Sequence, residues 1–251
     1  MRAADGVAAI VLAAGLGKRM QSDLPKVLHR ARGRPLVEHV LDAVRAAGVE
    51  RVVVVIGHQA ERVRAALARY PLEWAVQVPQ LGTGHAVQQA APLFAAYGGD
   101  VLVLCGDTPL LRAQTLRELI DTHRQSRAAA TVLSADVEDP EGYGRILRGA
   151  DDEVLRIVEE RDASPAEKAV REINSGLYAF AWPDLFAALA QVGADNAQGE
   201  YYLTDTLEIL RRGGKRVSAY RCPDAREVLG VNDPQQLVEV ETILAQRERD
   251  G

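Results

Sequence analysis

The sequence is poor in cysteine, in aromatic residues and in long apolar runs. Its two cysteines, Cys105 and Cys222, form neither a CxxC motif nor a metal-ligand spacing. Two cysteines in a chain of 251 residues favour reduced thiols and a cytoplasmic protein, and we expect no disulfide. No apolar stretch approaches the length that spans a bilayer, so we expect no membrane segment.

The chain also lacks an excess of positive charge. Its formal net charge is −5, which argues against a general nucleic-acid surface, so we expect no nucleic-acid partner. With 47% hydrophobic and 5% aromatic residues, the composition is typical of a globular protein packed with alanine, valine and leucine. Residues 18–34 contain six cations and one acid, Asp23. On charge alone this cluster is an ordinary solvated loop.

Apolar runs alternate with helical spacings along the first half of the chain. Residues 7–12 form a continuous apolar run, which predicts a strand covered on both faces of a parallel sheet. Apolar residues then recur at helical spacing from Leu36 to Val44, and RVVVVIG returns to a buried strand. Further helices are predicted near 61–68 and 85–91, and strands at 74–77 and 100–107. This alternation predicts an α/β fold with a doubly wound, Rossmann-like mixed sheet.

The pattern changes after ATVLSA, residues 130–135. EDPEGYGRILRGADDEVLRIVEE predicts a turn-rich hairpin rather than another βαβ unit. We therefore expect an inserted sub-lobe over about 137–172, closing over a cleft in a domain of residues 1–233. INSGLYAF predicts a strand, LTDTLEILRRG a helix and residues 217–220 a strand, and a C-terminal helix is expected over 234–251.

The glycine turn after the first strand, VLAAGLGKRMQSDLPK, lies where ligands bind in such sheets. The dinucleotide fingerprint G-x-G-x-x-G fails at Met20. The P-loop motif fails because Leu12 replaces its first glycine and Arg19 its hydroxyl residue. The remaining feature is a turn of small residues, whose backbone can approach a ligand closely, followed by Arg19 and Lys26. It suits a nucleoside triphosphate site of another kind.

The motifs of the chain resemble those of a known enzyme family. LAAGLGKRM with LPK is similar to the L-x-A-G-x-G-x-R-M…P-K signature of the sugar-nucleotide pyrophosphorylases, which have a GT-A-like nucleotidyltransferase fold. QLGTGHA, GDTPLL, GYGRI, IVEERDA, EINSG, QGEYYLTD and GVND follow in order. Together they resemble, over nearly the whole chain, the uridylyltransferase domains of the bifunctional bacterial enzymes that make UDP-N-acetylglucosamine.

The resemblance implies a reaction. UTP and N-acetylglucosamine 1-phosphate would give UDP-N-acetylglucosamine, a precursor for peptidoglycan synthesis, and pyrophosphate. The sugar phosphate oxygen would attack the α-phosphorus directly, with Mg²⁺ as the cofactor. Such transfers depend on positioning and on neutralising charge, so no protein nucleophile is expected.

The resemblance also assigns the charged residues of the site. Arg19 and Lys26 would hold the triphosphate as the catalytic cations. Asp107, at the end of the strand VLVLC, and Asn232 would ligate Mg²⁺, which prefers hard oxygen ligands. The residues alone allow another interpretation, in which Asp107 caps the following helix and Asn232 and Asp233 begin another.

Two further sets of residues follow from the resemblance. One would bind the nucleotide, with amides complementing the imide edge of uracil: Leu12, Ala13, Ala14, Gly15, Lys26, Gln77, Gln80, Gly82 and Thr83. The other would bind the sugar, with a carboxylate accepting hydroxyl protons: Gly144, Glu159, Asn174, Tyr202 and Thr204. Alternatively, GTG at 82–84 merely opens a helix with Thr83 as its cap.

The chain departs from the family at two positions of these motifs. Lys18 stands where the family usually has threonine, and either adds a phosphate contact or faces solvent. Cys105 stands where the family usually has tyrosine, which would loosen the choice of sugar. Another sugar-phosphate nucleotidyltransferase therefore remains an alternative, as does a UDP-sugar-binding protein without activity.

The second domain of the family has no counterpart in this sequence. That domain is a hexapeptide-repeat β-helix which acetylates glucosamine 1-phosphate, and no such repeat is present. Because the β-helix normally trimerises the enzyme, we expect this chain to be a monomer or a weak oligomer.

Overall fold

A nine-stranded mixed sheet runs through residues 6–250, the part of the chain that the computed structural model describes. Residues 1–5 and 251, which the predicted domain and C-terminal helix include, lie outside the described residues. The strands are β1 (Val7–Ala13), β4 (Arg51–Ile56), β5 (Glu73–Val76), β6 (Asp100–Cys105), β7 (Ala130–Asp136), β8 (Gly144–Arg148), β9 (Val154–Val158), β10 (Glu172–Ala181) and β11 (Val217–Arg221). A separate hairpin pairs β2 (Arg30–Ala31) with β3 (Arg34–Pro35).

Helices cover both faces of this sheet. They are α1 (Leu36–Ala46), α2 (Ala60–Ala66), α3 (Thr83–Ala90), α4 (Ala113–Ser126), α5 (Pro165–Lys168), α6 (Trp182–Leu189), α7 (Asp205–Arg212) and α8 (Pro234–Asp250). Alternate residues of β1 enter different cores: Ala9 and Val11 pack with α1 and α4, and Ala8 and Ile10 with α3, α6 and α7. This alternation follows from the two-residue period of a strand.

The strand order is β11-β7-β10-β6-β1-β4-β5. β1 is parallel to β4 and β6, whereas β10 runs antiparallel to β6 and β7. The doubly wound mixed sheet predicted from the sequence is confirmed. The carboxyl ends of β1, β4, β5 and β6 meet at one edge, which is where such sheets bind ligands.

The predicted hairpin after β7 is present as β8 and β9, which pair antiparallel. The hairpin attaches to the main sheet through the first residues of β10, where Asn174 pairs with Gly144. This attachment brings the hairpin beside the carboxyl end of β6. The boundaries of the domain and of the sub-lobe stay predictions.

Several helices differ from the sequence-based expectation. α5 and α6 were not predicted. The helix after Asp107, which was expected without bounds, is α4, and its Leu116, Leu119 and Ile120 are buried at helical spacing. α3 begins at Thr83, two residues before the predicted start. The C-terminal helix is present, and it packs on the turn after β1 through Met20, Val240 and Ile243. Among residues 6–250, none of the helices has the length and apolar character to cross a membrane.

Candidate active site

The first of two adjoining cavities opens at the carboxyl ends of β1, β4, β5 and β6. Its volume is about 430 Å³, which is within the range of small-molecule sites. Every residue of the predicted nucleotide-binding set lines it. Five residues that the prediction missed also line it: Leu16, Gly17, Val27, Ala86 and Glu200. Lys18, for which a phosphate contact and a position facing solvent were both open, lines it as well.

Gln77 is held in place at the wall of the first cavity. It is 3% exposed, and its Nε2 donates to the carbonyl oxygen of Gly82 at 2.9 Å. Gly82 has a φ of +108°, and a Cβ there would lie 2.6 Å from the carbonyl oxygen of Tyr201. Only glycine therefore lets the Gln80–Thr83 turn pack against Tyr201.

Thr83 does not cap α3 through its side chain. The N-cap residue is Gly82, and Thr83 is the first residue of the helix. Thr83 Oγ1 instead accepts a hydrogen bond from the backbone nitrogen of Leu203 at 3.1 Å. The interpretation of Thr83 as a helix cap is therefore wrong, whereas the interpretation that GTG opens a helix is confirmed.

The second cavity lies under the β8–β9 hairpin and has a volume of about 210 Å³. Four residues of the predicted sugar-binding set line it, namely Gly144, Glu159, Asn174 and Thr204. The two cavities share Leu12, Thr83 and Cys105 as lining residues. The two cavities therefore adjoin at these three residues.

The fifth predicted sugar-binding residue, Tyr202, is not among the lining residues. Its side chain is buried, and its hydroxyl donates to Asp162 Oδ2 at 3.3 Å and accepts from Gln198 Nε2 at 2.8 Å. Tyr202 therefore ties the 198–204 segment to Asp162, while its neighbours Leu203 and Thr204 face the cavity.

Glu159 is the acidic residue in the wall of the second cavity. Thr204 Oγ1 donates to its Oε1 at 3.1 Å. Burial raises the pKa of the Glu159 carboxyl, and the charges of Asp205, Asp162 and Glu200 raise it further, although the Thr204 hydrogen bond opposes them. The carboxyl is thus an acceptor whose negative charge is costly to hold, which favours a partner with hydroxyl donors.

Lys26, Asp107 and Asn232 meet beside the first cavity. Lys26 Nζ donates to Asn232 Oδ1 at 3.0 Å and forms an ion pair with Asp107. The backbone joins the same elements, because the nitrogen of Val231 donates to the carbonyl oxygen of Asp107 at 2.9 Å. The sequence places these residues far apart, and the sheet edge brings them together.

Helix capping does not account for Asp107 or Asn232. Arg112 is the N-cap of α4, the helix that follows Asp107. Asp233 caps α8, since its Oδ1 accepts from the backbone nitrogen of Gln236 at 2.9 Å. The capping interpretation is therefore wrong for Asp107. The interpretation that Asn232 and Asp233 lead into a helix is confirmed, since α8 begins at Pro234, but the cap is Asp233 and not Asn232.

The oxygens of Asp107 and Asn232 converge on one cation, the ammonium of Lys26. A carboxylate and an amide oxygen at one position also form the hard donor set that Mg²⁺ prefers. The two residues therefore fit the predicted metal.

The two cations of the glycine turn differ in position. Both lie in a short 3₁₀ helix, Lys18–Met20, and Lys18 lines the first cavity. Arg19 is exposed and is not a lining residue of either cavity described above. The charge of Arg19 nevertheless acts on Tyr143, which lines the second cavity. Burial raises the pKa of the Tyr143 phenol, and the positive charge of Arg19 opposes this increase.

Further residues of the second cavity were missed by the sequence-based prediction. They are Gly142, Tyr143, Ser175, Gly176, Tyr178 and Leu203. Most of them belong to the motifs GYGRI, EINSG and QGEYYLTD, so a prediction that included every residue of those motifs would have contained them. Tyr178 lies outside every motif, and only the strand INSGLYAF contains it.

Known proteins are similar to this chain over most of its length. A model of the MobA-like NTP transferase domain matches residues 9–208. The bifunctional protein GlmU of Pelotomaculum thermopropionicum is 52% identical over 241 residues, which is 96% of this chain and 52% of that protein. The bifunctional protein GlmU of Syntrophotalea carbinolica is 50% identical over 97% of this chain and 52% of its own length. The chain thus spans about half the length of these curated relatives.

The fold is similar to that of a solved UDP-glucose pyrophosphorylase in complex with UDP-glucose. The TM-score is 0.77, and the alignment covers 95% of this chain and 98% of the other. The sequence identity is 18%, so this likeness concerns the fold alone.

Proposed function

The chain belongs to the family of MobA-like NTP transferase domains, and from this membership and the site we propose that it is a uridylyltransferase. It forms UDP-N-acetylglucosamine and pyrophosphate from UTP and N-acetylglucosamine 1-phosphate. The bifunctional relatives support this choice of substrates. The observation that carries the proposal is the pair of adjoining cavities, which share Leu12, Thr83 and Cys105.

In the proposed reaction an oxygen of the sugar phosphate forms a bond with the α-phosphorus of UTP. The bond between the α-phosphorus and the bridging oxygen to the β-phosphate breaks, and pyrophosphate leaves. The backbone of residues 12–15 and the amides of Gln77 and Gln80 hold the nucleotide. The residues of the second cavity hold the sugar, so that the reacting atoms meet where the cavities join.

Cations of the chain neutralise the charge of the triphosphate in this proposal. Lys26 lines the nucleotide cavity, and its ammonium binds the phosphates. Arg19 acts from the exposed turn beside it and stabilises the charge that develops on the leaving pyrophosphate. Lys18, which lines the same cavity, adds a third positive charge.

Asp107 and Asn232 would hold Mg²⁺ in this proposal. When bound, the ion supplies positive charge to the phosphate oxygens. The support for these ligands is their convergence on the ammonium of Lys26. The same convergence weakens the alternative of a UDP-sugar-binding protein without activity, because such a protein needs no cation site of this kind.

A second candidate is a nucleotidyltransferase for another sugar phosphate. Cys105 favours it, since this small side chain stands at the junction of the cavities with its Sγ 3.5 Å from the carbonyl oxygen of Gly176. Residues that line a sugar site decide the choice of substrate by differences in transition-state binding.

The experiment that tests the proposal is pyrophosphate release with Mg²⁺, UTP and N-acetylglucosamine 1-phosphate. Glucose 1-phosphate and the other nucleoside triphosphates are run in parallel. Selective release with the proposed pair supports the uridylyltransferase. Release with another pair alone supports the second candidate, and no release with any pair, together with binding of UDP-sugars, supports the binding protein.

Two properties of the chain outside the site complete the proposal. We propose that the protein acts in the cytoplasm, because the proposed reaction uses UTP to make a nucleotide sugar. A chain of these 251 residues is a monomer or weak oligomer, and sedimentation velocity that gives a tight trimer would contradict this.

A further inference from the structure

A bulge in β10 brings two side chains of that strand together beside the second cavity. Asn174 and Tyr178 are four residues apart, which corresponds to about 13 Å along a regular strand. The register against β7 shifts between them, and Gly176 has a φ of +77°. Bulges bend strands and redirect side chains. The Tyr178 hydroxyl consequently reaches Asn174 Oδ1, at 2.9 Å.

Two donors identify the oxygen of the Asn174 amide. The backbone nitrogen of Gly176 lies 3.0 Å from Asn174 Oδ1. A backbone N–H can only donate, so the atom that it meets must be the acceptor. The Tyr178 hydroxyl donates to the same oxygen. The chemistry of the donors therefore fixes the orientation of this amide, with Oδ1 turned towards the strand.

This orientation determines what the amide offers to a ligand. Asn174 lines the second cavity. Within residues 6–250 the side-chain amide of Asn174 accepts two hydrogen bonds, both at Oδ1. The Nδ2 atom, with two N–H donors, is then the part of the amide that remains for the cavity.

We propose that Tyr178 is a positioning residue of the sugar-phosphate site, which orients Asn174 so that its Nδ2 donates to an acceptor on the sugar. This inference rests on the proposed function, because it concerns the sugar phosphate that the second cavity binds. Tyr178 acts through Asn174 and fixes the polarity of one wall of the cavity.

The surroundings of Tyr178 suit a fixed donor. The side chain is 2% exposed, and its ring packs against Phe180 with 5.4 Å between centroids. Burial raises the pKa of the Tyr178 phenol well above its usual value. The hydroxyl therefore keeps its proton and continues to donate to Asn174 over the pH range in which the enzyme is assayed.

A hydrogen-bond acceptor, the carboxylate of Glu159, lies near the Nδ2 donor of Asn174. Gly144 lies between the two side chains, because a Cβ on this glycine would be 3.4 Å from Asn174 Cβ and 3.4 Å from Glu159 Oε2. The second cavity thus presents a donor and an acceptor on either side of Gly144. That pair matches a sugar that carries an acceptor, such as an amide carbonyl, next to a hydroxyl.

The test is Tyr178→Phe, which removes one hydroxyl and retains the ring. We expect KM for N-acetylglucosamine 1-phosphate to rise about three- to tenfold, as for the loss of one hydrogen bond. KM for UTP and kcat should stay within about twofold of the wild type on the same grounds. Tyr70→Phe is the matched control, because Tyr70 is also buried and donates to Asp42 at 3.1 Å, away from both cavities. An unchanged sugar KM in Tyr178→Phe, or an equal rise in Tyr70→Phe, overturns the inference.

A double-mutant cycle distinguishes positioning from packing. If Tyr178 acts through Asn174, Tyr178→Phe should have no further effect on sugar binding in the Asn174→Ala background. An undiminished effect there overturns the inference. If Tyr178→Phe fails to fold, Asn174→Asp serves instead, since it retains the oxygen that accepts from Gly176 and Tyr178 and replaces the Nδ2 donor by a second acceptor oxygen. An unchanged KM for the sugar phosphate in that variant also overturns the inference.

The failure of this inference can be told apart from that of the proposed function. Calorimetric titration of the wild type with UDP-N-acetylglucosamine measures binding without turnover. A wild type that neither binds it nor releases pyrophosphate overturns both proposals. A wild type that does both, with a Tyr178→Phe variant of equal sugar affinity, overturns only the role of Tyr178.

Discussion

Lys26 Nζ donates a hydrogen bond to Asn232 Oδ1 at 3.0 Å, although the two residues are 206 positions apart in the sequence. Lys26 follows the turn after β1, and Asn232 precedes α8. Asp107, at the end of β6, pairs with the same ammonium. The fold therefore assembles this cluster of three side chains from three distant segments, and each of its residues can be tested separately.

Asp107→Ala should lower turnover by about 100-fold or more, because loss of a metal ligand removes charge stabilisation of several kcal/mol from the transition state. The measurement is pyrophosphate release at saturating Mg²⁺, and thermal unfolding reports whether the fold is retained. Asp121→Ala, at an exposed position of α4, is the control. Near-normal turnover of Asp107→Ala with Mg²⁺ would show that this carboxylate is not a ligand.

Lys18→Thr should raise KM for UTP about two- to fivefold, since an exposed cation near a phosphate contributes a modest, screened attraction. Steady-state kinetics at low and high ionic strength measure the effect, and the difference from the wild type should shrink as salt increases. Lys215→Thr removes a lysine that pairs with Asp184 and lines neither cavity, so its kinetics should match the wild type. If KM for UTP is the same in Lys18→Thr as in the wild type, Lys18 faces solvent and does not contact the phosphates.

Glu159→Gln should weaken sugar binding and alter the pH dependence of stability. Burial raises the pKa of Glu159 in the folded state. A carboxyl with a raised pKa stabilises the folded state at pH values below its pKa in the unfolded chain, near 4.5. This contribution is lost as the pH rises through the pKa of the same carboxyl in the folded state. The stability of the variant relative to the wild type should therefore increase from pH 4 to neutral pH. Urea unfolding at several pH values measures this, and a constant difference would contradict it.

The stability of Asp100→Asn relative to the wild type should change with pH in the opposite direction to that of Glu159→Gln. Burial alone would raise the pKa of Asp100, but His123 and Arg124 outweigh it and lower the pKa to about 2. Arg124 Nε donates to Asp100 Oδ2 at 3.0 Å. The charged carboxylate then contributes about 2 kcal/mol to the free energy of unfolding above pH 4. This contribution is lost as the pH falls from about 4 towards 2.

Urea unfolding of Asp100→Asn at pH 7 and at pH 3 checks this sign. The loss of stability should be largest at pH 7 and smaller at pH 3, with Asp121→Asn as the exposed control. A larger loss at pH 3 than at pH 7 would refute the assignment.

Some of the site was predictable because its signals are local. The small residues after β1 and the GTG motif at the start of α3 occur as contiguous motifs, and their backbone positions follow directly from the ends of strands and the starts of helices. Tyr202 shows the limit of such reasoning. Its motif placed it correctly in the chain, but only the packing turned its hydroxyl to Asp162 rather than to the cavity.

By itself the sequence determined most of the alternation of strands and helices along the chain, since apolar periodicity depends on residues close to one another, although it missed α6. It also determined the family, through motifs in a fixed order. The tertiary structure alone decided that Lys26, Asp107 and Asn232 meet, and that Tyr178 fixes the amide of Asn174. Those contacts depend on strand pairing and on a bulge, which arise from the cooperative packing of distant segments and leave no local pattern in the sequence.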